Sequence, residues 1–183
     1  MQRKRFLLAA LTVAPAVAFT QFTQRQTTRT KKAFKVDAGK SRNGEIIKYR
    51  GVHPNDNKVS SKDTDNGLSI FEYTGYAKTG PSLHLHFEQE EIFYVVEGEY
   101  RFVVGDETIN SKAGDTIFLP RNIPHTWIQL TDFGKMIYFL QPAGKMEAFF
   151  QAMNSLQKAP TEAEIREIHK LHGMQVVGPP LTL

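Results

Sequence analysis

The sequence predicts a mostly β protein, with one sandwich or barrel domain followed by short helices. Between residues 45 and 139, short runs of strand-forming residues alternate with turn residues, as in sandwiches and barrels. From residue 146 onward, apolar residues recur with helical spacing instead. A chain of 183 residues, 40% of them hydrophobic, suits one domain with its own core and short appendages.

The predicted β domain covers residues 44–142 and consists of short runs separated by turns. Asn66-Gly67 and Glu97-Gly98-Glu99 mark two of these turns, and the second indicates a hairpin. The predicted strands are 46–49, 68–73, 84–86, 92–96, 100–104, 107–110, 116–119, 126–130 and 136–140.

Residues 143–183 are predicted to form a helical extension packed against the outside of the β domain. The first helix has an apolar stripe made of Met146, Phe149, Phe150 and Met153. After Pro160, the residues Thr161 and Glu164 have the spacing of a capping box. The second helix has an apolar stripe made of Ile165, Ile168 and Leu171. His169 and His172 share a face of this helix and are expected at the surface.

The first 18 residues have the order of an export signal. Basic residues at 3–5 precede an apolar run at 6–19, which is too short to span a bilayer. Ala16-Val17-Ala18 supplies the small residues of a cleavage site. Residues 3–7 also resemble a twin-arginine signal with Lys4 in the second arginine position, and the general secretory route is equally compatible.

We therefore expect a mature protein that begins near Phe19 and lies in the periplasm or outside the cell, without stable membrane insertion. N-terminal sequencing of protein recovered from its native cells tests this expectation. An intact Met1 or Gln2 on that protein would contradict it.

Positive charge is concentrated before residue 43. Ten of the 23 Lys and Arg residues lie there, against one of the 19 Asp and Glu residues. The rest of the chain therefore carries a net charge of −5. Residues 19–43 lack apolar periodicity and are predicted to be a basic flexible linker. Because the basic charge is not on the folded domain, no nucleic-acid partner is predicted.

Four residues have the types and spacing of metal ligands. His84 and His86 stand two apart in a predicted strand, so their side chains share one face. Glu91 follows five residues later, and His125 follows the next hairpin. Three imidazoles and one carboxylate suit a divalent transition metal, namely Fe, Mn, Ni, Cu or Zn. The histidine pair alone would equally fit two exposed side chains on a strand edge, and the absence of cysteine excludes thiolate ligands.

The residues around these four resemble the two motifs of the cupin superfamily. In the first, Gly80 precedes His84-Leu85-His86, four residues precede Glu91, and six more precede Gly98. In the second, Gly114 stands six positions before Pro120, and His125 follows. Asn122 replaces the glycine of the second motif, but asparagine tolerates a positive φ well enough for the turn to form. Gln129 replaces its terminal asparagine.

The resemblance covers residues 45–181 and is strongest to bacterial single-domain cupins described as quercetin dioxygenase-like, whose tails are similar to residues 171–181. It implies a double-stranded β-helix, or jelly roll, that holds one metal through His84, His86, Glu91 and His125. It also implies a homodimer formed through edge strands. Glu91 is the predicted catalytic residue, as a base toward an acidic substrate hydroxyl. Phe93, Val95, Trp127 and Gln129 are predicted to line a pocket for a small organic ligand.

Three hypotheses follow for the function, because this fold carries many chemistries. The first is a metal-dependent dioxygenase that acts on an aromatic or enol-bearing compound. The second is a non-redox isomerase or lyase that uses the metal as a Lewis acid. The third is a non-enzymatic protein that binds a small ligand outside the cytoplasm. Oxygen uptake, turnover without oxygen, and binding without turnover distinguish them in that order.

Overall fold

The computed structural model describes residues 29–49, 51–156 and 158–183. The predicted signal peptide and the first ten residues of the predicted linker lie outside the described residues. Among the helices that the structure does describe, none has the length and hydropathy needed to cross a membrane.

The described residues form eleven strands and two α-helices. The first six strands are β1 (Lys48–Tyr49), β2 (His53–Val59), β3 (Ser69–Gly75), β4 (Ser82–His86), β5 (Glu90–Glu97) and β6 (Glu99–Val104). The others are β7 (Glu107–Lys112), β8 (Thr116–Leu119), β9 (His125–Gln129), β10 (Gly134–Gln141) and β11 (Met174–Pro180). Helices α1 (Met146–Asn154) and α2 (Glu162–Leu171) lie between β10 and β11.

The strands form two antiparallel sheets that pack into a jelly roll, which confirms the predicted fold class. One sheet has six strands in the order β1-β2-β3-β10-β5-β8. The other has five strands in the order β11-β4-β9-β6-β7. The two remain separate in their hydrogen bonding, and neighbours within each sheet are mostly distant in sequence. As a result, strands from both ends of the domain meet around one interior.

Aromatic side chains fill much of the space between the sheets. Tyr138 of β10 stacks on Phe71 and on Phe93, with ring centroids 5.3 and 5.2 Å apart. Phe150 of α1 meets Phe71 edge-on at 5.1 Å, so the helix is part of the same core. The predicted stripe on α1 is confirmed, because Met146, Phe149 and Phe150 are buried and Met153 is partly buried.

Two residues of the cupin-like motifs occupy positions with unusual backbone geometry. Asn122 has a φ of 62°, which confirms that asparagine takes the left-handed position of the second motif. Gly80 passes so close to β9 that an added Cβ would lie 1.7 Å from the carbonyl oxygen of Trp127. Only glycine fits there without moving the strand that begins with His125.

The described part of the predicted linker contacts the β domain. Nε and Nη2 of Arg42 each donate a hydrogen bond of 3.0 Å to the carboxylate of Asp63. The Arg42 guanidinium also lies 3.8 Å from the centre of the Phe34 ring. The backbone N–H of Thr30 donates to the carbonyl of Asp63 at 3.0 Å. Residues 29–43 contain no helix or strand.

Strand β2 has no counterpart among the predicted strands. Its inward positions are occupied by polar side chains, His53, Asn55 and Asn57, all of which are buried. The interior satisfies some of their polar groups: His53 Nδ1 accepts from the N–H of Tyr76 at 3.1 Å. Tyr138 donates to Asn55 Oδ1 at 2.8 Å. The strand therefore lacks the alternation of apolar residues by which strands are recognised.

The C-terminal extension contains a strand in addition to the two predicted helices. Strand β11 pairs with β4, with Val176 opposite His84 and Met174 opposite His86. Pro179 and Pro180 argue against a strand at this position, so the sequence did not predict one. However, β11 is the edge strand of its sheet, where missing N–H donors are tolerated. The chain therefore ends beside the strand that carries two of the predicted ligands.

Candidate metal centre

The four predicted ligands come together from both sheets. His84 and His86 lie on the inward face of β4, and His125, the first residue of β9, stands opposite His84 in the sheet. Glu91 reaches the same point from β5 of the other sheet. One donor atom from each side chain can be chosen so that all four lie within 4.8 Å of one another. His84, His86, Glu91 and His125 thus form a buried cluster compatible with a metal site, called the four-residue cluster.

Each histidine of the cluster has its Nδ1 held by an oxygen acceptor. His84 Nδ1 lies 2.8 Å from the carbonyl of Ser82, and His125 Nδ1 lies 2.9 Å from that of Ile123. His86 Nδ1 lies 3.2 Å from Oε1 of Gln89. Because these oxygens only accept hydrogen bonds, each Nδ1 carries the hydrogen, and each Nε2 keeps its lone pair. All three rings therefore have the tautomer that metal binding through Nε2 requires.

The Nε2 atoms of His86 and His125 have no hydrogen-bond partner among the described residues, although both are buried. They lie 3.6 and 3.4 Å from the two carboxylate oxygens of Glu91, too far for good hydrogen bonds. A buried polar atom without a partner costs free energy. A cation placed between these three groups would satisfy all of them, so the donor set fits a divalent metal ion.

Burial and mutual interaction shift the pKa values of His84, His86 and Glu91. Burial lowers the pKa of His84 well below its usual value, and the neighbouring His125 lowers it further. Burial also lowers the pKa of His86, although Glu91 opposes this effect. For Glu91, burial acts to raise the pKa, but His86 and His125 outweigh it and the pKa lies below its usual value. Neutral imidazoles and an ionised carboxylate are the forms that bind a metal.

Gln89 supports the cluster and was not found by the sequence analysis. It is buried, and its Oε1 accepts from His86 while its Nε2 donates to the carbonyls of Pro142 and Ala143 at 3.2 and 2.7 Å. The side chain thus ties one ligand to the segment that follows β10. Gln89 lies between two glutamates and outside the motif positions that define the resemblance, so only the structure reveals its role.

Gln89→Leu is expected to weaken metal binding about 10- to 100-fold, because His86 loses the acceptor that fixes its tautomer. Chelator competition with Zn²⁺ measures this affinity in the folded variant. Gln151→Leu is the matched control, because it removes an exposed amide that pairs with Glu45 on the surface. An unchanged affinity in a folded Gln89→Leu protein would contradict the supporting role.

A cavity of about 640 Å³ leads to the four-residue cluster. His84 and Glu91 line it, together with Phe93 and Trp127 from the predicted pocket. Helices α1 and α2 supply much of its outer wall through Met146, Phe149, Phe150, Met153, Ile165 and His169. The helical extension therefore encloses the cavity as well as packing against the sheets.

Val95 and Gln129, the other two predicted pocket residues, do not line this cavity. Both point inward as alternation requires, but they are fully buried further along their strands. Gln129 Nε2 donates to the carbonyls of Gly75 and Thr131, at 3.3 and 2.8 Å. Strand alternation identifies the inward face correctly, but it does not show how far along the strand the cavity extends.

His169 corrects the expectation of a surface histidine on α2. It is buried at 6% exposure, whereas Leu171, which was assigned to the apolar stripe, is 59% exposed. The inner face of α2 contains Ile165, Ile168 and His169, of which only His169 is fully buried, and the partly buried His172 follows the helix end on the same side. Burial lowers the pKa of His169, so the neutral ring is favoured. Its centroid lies 5.8 Å from that of His84.

Comparison with known proteins finds one matching family model and one curated relative. A family model described as the cupin domain matches residues 71–140. An uncharacterized protein of Methanocaldococcus jannaschii is 42% identical over 43 residues, which are 24% of this chain and 34% of that protein. The match thus spans about a third of the relative's length.

Solved structures share the fold at low sequence identity. An RmlC-like cupin of Shewanella frigidimarina has a TM-score of 0.51 and 20% identity, with 61% of this chain and 93% of that chain covered. A predicted oxalate decarboxylase of Thermotoga maritima has a TM-score of 0.47 and 21% identity, with 54% and 90% covered. Residues 71–140, which hold the whole four-residue cluster, therefore have the sequence pattern and the fold of a cupin domain.

Proposed function

We propose that the four-residue cluster binds one divalent transition metal and that the protein is a metal-dependent dioxygenase acting on a small aromatic or enol-bearing compound. One observation carries the proposal. Three imidazoles with free Nε2 lone pairs and one carboxylate converge within 4.8 Å, at a cavity of about 640 Å³. That volume lies within the range of small-molecule sites.

The donor set supports a transition metal over Ca²⁺ or Mg²⁺, because these hard ions prefer oxygen ligands. Four protein ligands leave room for further ligands on an octahedral ion. When bound, such a metal supplies redox chemistry toward O₂ and Lewis acidity toward a substrate oxygen. Fe, Mn, Ni and Cu provide both, whereas Zn provides only the second.

The residues of the chain bind and orient the substrate. Trp127, Phe93 and Phe149 offer aromatic faces on which a planar ring can pack. The surrounding apolar wall excludes water, so charges inside the cavity interact more strongly than in solution. Glu91 is the only carboxylate that lines the cavity among the described residues. Its ionised form accepts the proton of an acidic substrate hydroxyl.

Two measurements test the proposal. Metal analysis of protein purified without an affinity tag identifies the ion, and we expect about one Fe, Mn, Ni or Cu per chain. Oxygen uptake is then measured with a panel of flavonols, catechols and enols. Turnover without oxygen would instead favour the isomerase or lyase hypothesis, and tight binding without turnover would favour a ligand-binding protein.

Export and dimer formation are proposed from the sequence analysis. The basic charge before residue 43 and the export-like order of residues 1–18 support a periplasmic or extracellular location. Edge strands such as β8 and β11 support pairing between two copies. Size-exclusion chromatography with light scattering measures the second directly, with a dimer as the expected result.

A further inference from the structure

His169 has a position that the metal ligands do not explain. It is the only buried residue of α2, and its side chain lines the cavity beside His84. The His169 ring also meets Phe149 edge-on, with centroids 4.8 Å apart. The ring is thus held between a metal-ligand candidate and an aromatic wall of the cavity.

Hydrogen bonding fixes which nitrogen of His169 is available. Nδ1 lies 2.6 Å from the carbonyl oxygen of Ile165, one turn earlier in α2. Since that oxygen can only accept, Nδ1 donates and Nε2 carries the lone pair. The ring therefore offers the cavity one acceptor whose orientation is set by the helix.

The four-residue cluster is open to the cavity on one side. His84 and Glu91 line the cavity, whereas His86 and His125 do not. A ligand that enters through the cavity therefore approaches the cluster past His84, where His169 lies. The ring centroids of His84 and His169 lie 5.8 Å apart, so a ligand that reaches the cluster past His84 also passes the His169 ring.

We propose that His169 recognises the ligand by accepting, at Nε2, a hydrogen bond from a hydroxyl next to the oxygen that binds at the cluster. The inference rests on the proposed small-ligand site. It specifies the ligand class as catechols and similar compounds with two adjacent oxygens, at least one of which is a free hydroxyl. A methyl ether at this position cannot donate, so the cavity discriminates against it.

The fluorescence of Trp127 can be used to measure ligand binding. Trp127 is the only tryptophan in the sequence, and it lines the cavity. Quenching of its fluorescence therefore reports on ligands bound beside it. The experiment uses the full chain loaded with Zn²⁺, which does not oxidise the ligand, and titrates 4-nitrocatechol and its monomethyl ether, 4-nitroguaiacol.

We expect wild-type protein to bind 4-nitrocatechol more tightly than 4-nitroguaiacol. In His169→Phe, we expect 4-nitrocatechol to bind about threefold to tenfold more weakly, the usual value of one hydrogen bond. The dissociation constant of 4-nitroguaiacol should change less than twofold. His169→Gln retains an acceptor at similar reach, so we expect it to keep part of the preference. His169→Gln also serves as the test variant if His169→Phe does not fold.

His172→Phe is the matched control. His172 also has its Nδ1 2.7 Å from a carbonyl one turn earlier and packs near Phe149, but it does not line the cavity. We expect it to leave both affinities unchanged. Equal weakening of both ligands in His169→Phe would indicate a structural role and overturn the inference, as would an unchanged preference.

The outcomes also separate this inference from the proposed function. A wild-type protein that binds neither compound would overturn both the ligand site and the role of His169. A protein that prefers 4-nitrocatechol, loses that preference in His169→Phe and consumes no oxygen would contradict the dioxygenase proposal and support the inference.

Discussion

Single substitutions of His84, His86 or His125 by alanine are expected to remove most of the bound metal. Each substitution removes one of four donors that converge within 4.8 Å. The loss of affinity should be at least the roughly 10- to 100-fold that the loss of a supporting partner costs. Metal content per chain, measured by mass spectrometry on protein purified without a tag, reports the effect.

His53→Ala is the matched control for these variants. His53 is as buried as the cluster histidines, and its Nδ1 accepts a backbone hydrogen bond, but it lies outside the four-residue cluster. Its loss creates a cavity of the same size, so it shows how much metal is lost through destabilisation alone. Full metal occupancy in all three cluster variants would show that the site is wrongly assigned.

The cluster could be predicted from one local rule and one resemblance. Alternation along a strand places His84 and His86 on one face, whatever surrounds them. Alternation alone does not bring Glu91 to the same point, because Glu91 lies in the other sheet. The resemblance to the cupin motifs implied that Glu91 and His125 join the pair, and the structure brings all four together.

The walls of the cavity could not be predicted in the same way, because they depend on contacts between distant segments. Strand β2 escapes recognition because its buried positions are polar and find partners only after folding. On α2, His169 is buried although it was expected at the surface, and Leu171 is exposed although it was assigned to the apolar stripe. Hydropathy assigns His169 to the surface, and only its packing against Phe149 and His84 reveals the site.

Gln89 illustrates a further limit of the sequence. Residues that orient a ligand through a hydrogen bond need the right distance and direction rather than a characteristic pattern. Gln89 reaches His86 from three residues away and is fixed by carbonyls more than fifty residues later in the chain. Nothing in the local sequence distinguishes Gln89 from the glutamates on either side of it.

The substitution Glu91→Gln is expected to lower turnover per bound metal about 10²- to 10⁴-fold, if Glu91 is the base. Glutamine keeps the size of the side chain and one oxygen donor, but it has no negative charge and almost no basicity. Metal affinity should also fall, because the charge that attracts the cation is lost. Turnover must therefore be divided by measured metal content before the variants are compared.

Glu90→Gln provides the matched control one residue away. Glu90 points out of the interior and accepts hydrogen bonds from Arg121, with the nearer nitrogen at 3.0 Å. The substitution removes the same charge from the same strand without touching the cluster, so we expect normal metal content and normal turnover. Any general effect of charge on the stability of β5 appears in this control.

Oxygen uptake with the panel of flavonols, catechols and enols decides between the roles of Glu91. If the carboxylate only binds the metal, the Glu91→Gln variant should lose activity in proportion to metal and keep the wild-type rate per bound ion. A rate per metal that falls by orders of magnitude instead supports a proton acceptor at Glu91, which supplies the only carboxylate that lines the cavity among the described residues. No oxygen uptake by metal-replete wild-type protein would point to the Lewis-acid or ligand-binding hypothesis.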